Sequence, residues 1–484
     1  MADTILAIDQ GTTNTKAVLI NVEGRIVGKG SAPVEIEFPG PGWVQQDAEN
    51  IWQSVVSAIA GCVASAPTSE ILGLGISNQR ETVVAWDRRS GAPVGPAISW
   101  QCRRTSDVTE DLKKTGCEPD VIAKTGLPLD PLFPASKIRW LQENAADDID
   151  LCVGTIDSWL VYKLTGGSRH ATDRSNASRT QLFNLITGTW DSDLCRLFGV
   201  NPDALPDIED SQAAFGSVSG IPDLPDGLPI ASAIGDSHAA LFGHAAFSPG
   251  DAKITFGTGS SVMVTAAEFS EPTNGMTTTV AWSRGGSMTY AREGNILVSA
   301  AIFPWTADLL GLNGDVGKLM ELAASVDAAD GVFLVPAHVG LGAPHWRPEA
   351  TGLITGLRFS TTPAHIARAA ADSLALQVAD VLSAVETGDG SIGALHVDGG
   401  PSENPFLMQL VADLLGKPLK VCRMPEVSAF GAGTLAGLQV GLWTDINDLT
   451  AIDRGVSTVR PEISDTNTTN TLEGWAQAVR RCTL

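Results

Sequence analysis

The sequence predicts an α/β fold of two similar domains that face one nucleotide. The chain has 484 residues, which is too long for one ordinary core and enough for two sizeable domains. Hydrophobic residues make up 43%, and 50 glycines punctuate the chain, as is typical of loop-rich α/β enzymes. A strand–loop–strand unit at the start also has a counterpart in the second half. We therefore expect domains at 1–248 and 249–484.

The first of these units contains the loop Asp9–Thr13, with the sequence DQGTT, between two apolar runs. Gly11 lets backbone N–H groups approach phosphate oxygens, and Thr12 and Thr13 add hydroxyl donors. Asp9 ends the first strand, where its carboxylate is suited to orient Mg²⁺ through the waters of the ion. The loop therefore predicts a site for phosphate and metal.

The second unit repeats this arrangement far along the chain. The segment Lys253–Phe256 leads into the loop Gly257–Ser261, and Val262–Val264 follows. Either loop alone is equally compatible with a tight hairpin turn that binds nothing. Two such loops in matching contexts favour a nucleotide held by both halves.

Other elements are predicted by capping residues and apolar runs. Asp47 is expected to cap a helix, and Ile71–Ile76 reads as a buried strand with Val83–Trp86 as its partner. Asn78–Glu81 would then lie between two strands, at a sheet edge beside a cleft. Ile230–Ile234 predicts a strand that ends in Gly235 and Asp236. In the second half we expect helices after Thr362 and Asn404, and a strand over Leu395–Val397.

Composition excludes several classes of partner. The formal net charge of −23 argues against nucleic acid or an anionic membrane as the main partner. No run reaches the ~18 apolar residues of a membrane span, and the N-terminus has no signal-peptide pattern. The seven cysteines are scattered without CxxC spacing, so neither zinc nor a disulfide framework is indicated. We expect a cytoplasmic protein.

Asp236 is the candidate general base. It follows a buried strand, and a carboxylate there is suited to accept a hydroxyl proton as the oxygen attacks the γ-phosphorus. The alternative is an N-cap for the helix that contains Ala239. His238 lies close by, but a histidine at a helix start is more often structural.

Two further polar groups are candidates for ligand contacts. Arg80 and Glu81, with Trp100, would bind a hydroxyl-rich ligand through adjacent donor and acceptor; the alternative is a surface salt bridge. Gly399 and Gly400, with Asn404, would let adenine lie on bare backbone; the alternative is a strand-to-helix turn with an asparagine cap.

Taken in order along the chain, these segments resemble the FGGY carbohydrate kinases, and within them most closely the glycerol kinases. The resemblance covers nearly the full length, and several motifs in one order are highly specific. The motifs are DQGTT at Asp9–Thr13, PGWVQQD at Pro41–Asp47, NQRET at Asn78–Thr82, WQCRR at Trp100–Arg104, TDRSNASRT at Thr172–Thr180, GDSHAALFG at Gly235–Gly243, FGTG at Phe256–Gly259, GLGAPHW at Gly340–Trp346 and VDGG at Val397–Gly400.

The resemblance implies two actin-like (ribonuclease H-like) domains with ATP, Mg²⁺ and a small polyol or sugar in the central cleft. The cleft of such kinases closes on the substrate and excludes water. By position, the resemblance assigns phosphate contacts to Thr12, Thr13 and Asn14, with Lys16 where glycerol kinases usually carry arginine; nucleotide contacts to Thr258, Gly400 and Asn404; Mg²⁺ to Asp9 and Asp236; and the acceptor to Arg80, Glu81, Trp100 and Asp236, with Asp236 as the base.

Besides Lys16, five further positions depart from the glycerol kinase pattern. Leu132 stands for a tyrosine that contacts glycerol, Ser237 for a glutamine, and Ser261 for a phenylalanine that packs on the glycerol carbons. Ala300 and Pro304 replace a glycine and a glutamine in the nucleotide region. The two serines enlarge the acceptor pocket and add hydroxyl groups, and a pocket too large for glycerol would orient it poorly. We therefore expect an acceptor larger than glycerol, with four or five carbons.

Three hypotheses follow from the sequence. The first is an ATP-dependent kinase of a primary hydroxyl of a small polyol, glycerol or larger. The second is an FGGY kinase for a ketose such as xylulose, ribulose or erythrulose. The third is an actin- or chaperone-like ATPase that binds protein partners, which would have no use for Arg80, Glu81 and Trp100 in its cleft. We also expect a homo-oligomer, either a dimer or a tetramer.

Overall fold

The computed structural model describes residues 2–146, 148–389, 392–462 and 465–483. No helix in these ranges is both long and apolar enough to cross a membrane. The strands are β1 (Ala2–Gln10), β2 (Asn14–Asn21), β3 (Ile26–Pro33), β4 (Glu37–Gly40), β5 (Trp43–Gln46), β6 (Ser69–Asn78), β7 (Val83–Asp87), β8 (Ala97–Ile98), β9 (Leu151–Thr155), β10 (Ala171–Asp173), β11 (Phe183–Asn184), β12 (Thr189–Trp190), β13 (Asp207–Glu209), β14 (Ile230–Gly235), β15 (Ala252–Phe256), β16 (Ser260–Ala266), β17 (Thr277–Arg284), β18 (Ser287–Ile296), β19 (Phe333–Val335), β20 (Leu353–Thr355), β21 (Leu395–Asp398), β22 (Leu419–Val421) and β23 (Ser457–Val459).

The helices connect and cover these strands. They are α1 (Ala48–Ser65), α2 (Ser106–Lys114), α3 (Glu118–Thr125), α4 (Pro134–Glu143), α5 (Ile156–Leu164), α6 (Arg174–Ala177), α7 (Ser192–Phe198), α8 (Asp236–Gly243), α9 (Ile302–Leu309), α10 (Val316–Ala324), α11 (Pro363–Asp389), α12 (Pro405–Leu415), α13 (Val427–Val440), α14 (Ile446–Thr450) and α15 (Asp465–Cys482), with short 3₁₀ turns at Pro202–Ala204 and Gly400–Glu403.

The first half is built on a five-stranded sheet in the order β14-β6-β1-β2-β3. The antiparallel meander β1-β2-β3 forms because only short turns separate these strands. β6 lies parallel to β1, and β14 lies parallel to β6, so the carboxyl ends of these three strands meet at one edge. Asp9 and Asn78 lie at that edge, and β14 ends directly before Asp236.

The sheet of the second half repeats this pattern. Its central strands run in the order β18-β16-β15-β21-β22, with β17 and β23 added at the edges. As in the first sheet, β15 pairs antiparallel with β16 and parallel with β21, which in turn lies parallel to β22. The expected two similar α/β domains are confirmed by this shared strand order.

One predicted strand pairing was wrong. β7 does not pair with β6; it pairs with β8 and β9 in a separate five-stranded sheet, in the order β4-β5-β8-β7-β9. The reason is the four-residue link between them, in which Thr82 N–H donates to Arg80 O and Glu81 adopts a left-handed φ of 62°. This turn carries the chain out of one sheet and into the next.

The two halves meet through helices α8 and α13. α13 belongs to the second half of the chain, yet it packs on α8 and on β6, β1 and β14 of the first sheet. Glycines allow this close approach: a Cβ on Gly431 would lie 1.8 Å from Ala239 O, and one on Gly433 would lie 3.0 Å from the Ala7 Cβ. Backbone-to-backbone contact of this kind sets how the two domains are spaced.

Gly431→Ala should destabilise the protein, because the added methyl group has no room unless α8 and α13 separate. Overpacking of this kind typically costs about 1–3 kcal/mol. The control is Gly61→Ala within α1, where the nearest atom to a new Cβ, Gly30 Cα, is 3.5 Å away; helix propensity there favours alanine by up to ~1 kcal/mol. Thermal unfolding of both variants measures the effect, and equal midpoints would contradict the tight contact.

Candidate functional site

The loop after β1 is held in place by polar contacts. Gly11 N–H donates to Asn14 O at 3.0 Å, which closes the turn into β2. Trp100 Nε1 donates to Thr12 Oγ1 at 3.0 Å, and Gln46 Nε2 donates to Thr12 O at 2.8 Å. The predicted phosphate loop and the predicted acceptor residue Trp100 are therefore in direct contact.

The matching loop after β15 is closed by its own backbone. Gly257 N–H donates to Gly259 O at 2.9 Å, and Ser299 N–H donates to Thr258 O at 2.8 Å. Ala300 N–H donates to Gly257 O at 3.0 Å, so this departure from the glycerol kinase pattern touches the loop through its main chain. Pro304 lies one helical turn further on, within α9.

A cavity of about 770 Å³ lies between the two halves. Asp9 and Lys16 line it from the first half, and Asp398, Gly400 and Glu426 line it from the second. Lys16 Nζ and Glu426 Oε2 are 2.7 Å apart, so one ion pair spans the cavity. The volume suits a nucleotide. Asp9, at the start of the first phosphate-type loop, and Thr255, two residues before the second, both line the cavity, whereas Thr12, Thr13, Asn14, Thr258 and Asn404 are not among the lining residues.

Two predicted nucleotide residues have structural roles in this fold. The Asn404 side chain caps α12 by accepting from Phe406 N–H at 3.0 Å and Leu407 N–H at 3.3 Å, as the alternative reading proposed. Thr258 holds the loop described above through its carbonyl. Their contacts with a nucleotide, like those of Thr13 and Asn14, stay predictions.

The predicted acceptor residues are brought together beside this cavity. Arg80 Nε lies 3.3 Å from Asp236 Oδ1, and the Asp236 side chain is 38% exposed to the cleft while Arg80 is 8% exposed. Glu81 is buried next to Arg80 in the link between β6 and β7. The surface salt bridge considered for Arg80 and Glu81 is excluded, because both side chains are buried and bind other partners.

Sequence reasoning missed two charged residues that hold this group. Glu293, on β18 of the second half, is fully buried and contacts Arg80 Nη2 at 2.8 Å and Arg179 Nη1 at 2.7 Å. Arg179 Nε in turn donates to Glu81 Oε1 at 2.6 Å. Five charged side chains of alternating sign thus contact one another in series, and we call this series the charge chain: Asp236, Arg80, Glu293, Arg179 and Glu81. Burial disfavours a charged Glu293, but Arg179 and Arg80 hold its pKa well below the usual range.

Lys253 is a third buried charge that the sequence did not reveal. It lies on β15, is 1% exposed, and its Nζ donates to Ser261 Oγ at 3.4 Å. Burial lowers the pKa of Lys253, and the nearby carboxylates of Asp398, Glu293 and Asp236 oppose that shift. The Lys253 ammonium therefore lies between the residues predicted to bind the acceptor and the nucleotide cavity.

The three positions that depart from glycerol kinases around the acceptor are all half-buried. Ser261 Oγ accepts a hydrogen bond from Lys253 Nζ. Ser237 N–H donates a hydrogen bond to Asp236 Oδ1 at 2.6 Å. The N-cap of α8 is Gly235 and not Asp236, whose carboxylate faces the cleft instead of capping the helix. The capping alternative for Asp236 is therefore wrong, because the helix begins one residue too early for it.

Two carboxylates at the cleft carry raised pKa values. Burial raises the pKa of Asp9 to about 6; repulsion from Asp236 adds to the shift, and the hydrogen bond from Ser77 Oγ at 2.7 Å opposes it. Burial likewise raises the pKa of Asp236, Arg80 opposes the shift, and Glu81 adds to it. Two carboxylates that repel each other are stabilised by a cation, although no group of three or more His, Cys, Asp or Glu side chains in the described ranges forms a metal cluster.

A buried polar network supports the link that carries Arg80 and Glu81. Asn78 exchanges side-chain hydrogen bonds with Asn176 at 2.9 and 3.0 Å, and Asn176 Nδ2 also donates to Asp173 Oδ1 at 2.8 Å. Behind Asp173, Asp157 accepts from Thr172 Oγ1 at 2.6 Å. Burial and repulsion from Asp173 raise the pKa of Asp157 to about 7.

Comparison with protein families matches both halves of the chain. Residues 4–243 match the family model described as "FGGY family of carbohydrate kinases, N-terminal domain", and residues 252–440 match the corresponding C-terminal domain. The expected boundary near Pro249 lies between the two matched segments and stays a prediction.

Individual relatives agree over almost the whole length. The chain is 43% identical to a glycerol kinase of Bdellovibrio bacteriovorus, covering 99% of both chains. It is 42% identical to an apulose kinase of Pectobacterium atrosepticum, covering 99% of this chain and 98% of the relative. The structure superimposes on that of Plasmodium falciparum glycerol kinase with ADP at a TM-score of 0.94 and 30% identity, covering 100% of this chain and 99% of that one. The predicted actin-like, two-domain fold is thereby confirmed.

Asp157→Asn should flatten the pH dependence of stability. The pKa of Asp157 in the folded protein is about 7, above its usual 3.8, so the folded state binds more protons in between and stability falls as pH rises from roughly 4 to 7. An amide does not titrate in this range, so the fall in stability between these pH values should disappear. Its NH2 group cannot accept the hydrogen bonds that Thr155 Oγ1 and Thr172 Oγ1 donate to the two carboxylate oxygens, so stability at low pH should decrease. Thermal unfolding across pH measures it, with Asp111→Asn, 75% exposed, as the control. An unchanged pH dependence would show that Asp157 titrates normally.

Proposed function

Because the chain belongs to the FGGY family of carbohydrate kinases and is an ATP-dependent polyol or sugar kinase, we propose that it phosphorylates a primary hydroxyl of a small acceptor with Asp236 as general base. The observation that carries this proposal is the position of Asp236. Its carboxylate faces the cleft between the acceptor group and the nucleotide cavity, and its raised pKa makes it a better proton acceptor.

The reaction uses these groups as follows. The acceptor hydroxyl donates to Asp236 and is held by the guanidinium of Arg80 and the carboxylate of Glu81, with Trp100 beside them. As the acceptor oxygen attacks the γ-phosphorus of ATP, its proton passes to Asp236 and the bond to the β-phosphate oxygen breaks, which releases ADP. Positioning and electrostatic stabilisation carry the catalysis, because phosphoryl transfer needs little covalent participation from the protein.

The nucleotide would occupy the 770 Å³ cavity. We assign its phosphates to Thr12, Thr13, Asn14 and Lys16, and the rest of the nucleotide to Thr258, Gly400 and Asn404. Lys16 is paired with Glu426, so phosphate binding would exchange one anionic partner for another.

Asp9 suits Mg²⁺, with Asp236 as a second carboxylate, because the two repel each other and Mg²⁺ in kinases is commonly held by one or two carboxylates and the substrate phosphates. When bound, the ion neutralises charge on the phosphates. Asp9 is oriented for this role by Ser77 Oγ.

We propose an acceptor larger than glycerol, with four or five carbons. Leu132, Ser237 and Ser261 leave space and hydroxyl groups where glycerol kinases carry larger side chains. A ketose is the second candidate, favoured by the similarity to the apulose kinase, which is named for a sugar. The ATPase hypothesis is set aside, because the whole chain matches a kinase family and its cleft carries the acceptor group.

Asp236→Asn should abolish turnover while nucleotide binding survives. The amide cannot take the hydroxyl proton, and loss of a general base typically lowers the rate by about 10²–10⁴-fold. Coupled release of ADP measures turnover, and calorimetry with a non-hydrolysable ATP analogue measures binding. Retained turnover would remove Asp236 as the base.

The triple variant Leu132→Tyr, Ser237→Gln and Ser261→Phe should shift preference toward glycerol. Filling the pocket excludes carbons beyond the third, and each such contact is worth about 10-fold or more in discrimination. ADP release with glycerol, tetritols, pentitols and ketoses gives the ratio of kcat/KM values, and Ser287→Phe at the exposed start of β18 is the control. Faster turnover of glycerol than of every longer acceptor by the unmodified enzyme would refute the larger acceptor.

A further inference from the structure

One buried lysine joins the three segments that form the acceptor side of the cleft. Lys137 lies in the first turn of α4 and is fully buried. Its Nζ donates to Leu132 O at 2.7 Å, to Glu81 O at 2.9 Å and to Ser99 O at 3.3 Å. An ammonium group has three N–H donors, so each of them serves a different carbonyl.

These carbonyls belong to, or lie next to, residues assigned to the acceptor. Glu81 and Leu132 are two of them, and Ser99 directly precedes Trp100. The three segments are distant in sequence: one follows β6, one follows β8, and one precedes α4. Lys137 is therefore a single point that fixes their relative positions.

Glu81 needs such a restraint because its backbone is strained. Its φ of 62° is left-handed, a conformation that residues other than glycine rarely adopt. The strained residue is held at both ends, since Lys137 binds its carbonyl and Arg179 Nε binds its carboxylate. Strain that the surroundings maintain in this way is typical of functional sites.

Among the residues that the structure describes, no carboxylate forms an ion pair with Lys137 that would explain its burial. Burial lowers the pKa of Lys137 to about 7; Glu81, Cys102 and Asp130 oppose this shift, and Arg103 adds to it. In the described ranges its hydrogen bonds go to carbonyl groups alone. An apolar side chain would fill the same space without the free-energy cost of burying an ammonium group. We therefore infer that a lysine occupies this position for its three hydrogen bonds.

We propose that Lys137 is a positioning residue of the phosphoryl-transfer reaction, which orients Glu81, Trp100 and Leu132 around the acceptor. The proposal rests on the proposed function, because it takes these three residues as acceptor contacts. Lys137 acts through the backbone and does not itself touch the reacting atoms. Its loss therefore displaces the acceptor and leaves the nucleotide cavity, which it does not line, unchanged.

The test compares Lys137→Met, which cannot donate, with Lys137→Arg, which keeps charge and donors. We expect Lys137→Met to raise the KM of the best acceptor about 10-fold or more, because small displacements at a reacting centre have large effects, and to leave the KM of ATP within about twofold. Lys137→Arg should recover part of this loss. Lys163→Met is the control: the Lys163 side chain is 21% exposed, and its Nζ pairs with Glu49 of α1 and not with the segments that Lys137 joins.

Folding and positioning are separated by counting nucleotide sites. A merely structural lysine would lower nucleotide stoichiometry and kcat together while the acceptor KM of the folded molecules stayed constant, and that result would overturn the proposal. An unchanged acceptor KM in fully folded Lys137→Met would overturn it as well. Failure of the proposed function is recognised separately, as full turnover by Asp236→Asn, and the Lys137 effect is read on whichever acceptor is turned over.

Discussion

The fully buried carboxylate of Glu293 is the constraint on which the site depends. It comes from β18 in the second half of the chain, and it binds two arginines of the first half, Arg80 and Arg179. Each arginine also binds a carboxylate that we propose contacts the acceptor, Asp236 at one end and Glu81 at the other. Removing one member of a buried ion pair commonly costs about 3–5 kcal/mol, because its partner is left as an uncompensated charge. The proposed acceptor site is thus assembled from both halves, and its geometry depends on how they are docked.

Further direct contacts join the two halves. Ser178 Oγ and Thr279 Oγ1 are 2.7 Å apart, so the segment after α6 is attached to β17 across the two halves. The glycine-lined contact between α8 and α13 also brings the backbones of the two halves together, and Ala240, Val427 and Ser428 of these helices line the nucleotide cavity. The Lys16–Glu426 pair, which lines the same cavity, is partly exposed. The two halves are therefore in direct contact both beside the charged group and beside the cavity.

Much of this arrangement was predictable, because local patterns encode it. The two phosphate-type loops, the strand before Asp236 and the caps at Asp47 and Asn404 all follow from short-range chemistry. Glu293, Arg179, Lys253 and Lys137 were missed, because a buried charge has meaning only through partners distant in sequence. The predicted pairing of β7 with β6 was wrong for a similar reason. The local sequence Asn78–Thr82 does not indicate that Glu81 adopts a left-handed backbone conformation. The sequence does not identify the acceptor, because Leu132, Ser237 and Ser261 affect the size of the proposed pocket and do not specify one molecule that fills it.

The half-buried positions Leu132, Ser237 and Ser261 also have an evolutionary consequence. None of them carries a charge, so a substitution at Leu132 or Ser237 breaks no ion pair, whereas one at Ser261 removes the hydroxyl that accepts from the buried Lys253. A substitution at any one of the five members of the charge chain is more destabilising, because it leaves the charge of a neighbouring member without its partner. We therefore expect new acceptor preferences on this scaffold to arise at the uncharged positions first, with the ionic framework and its chemistry inherited unaltered. The same arrangement, with uncharged side chains at some positions and paired charges at others, would then explain both why acceptor preference changes and why the mechanism is retained.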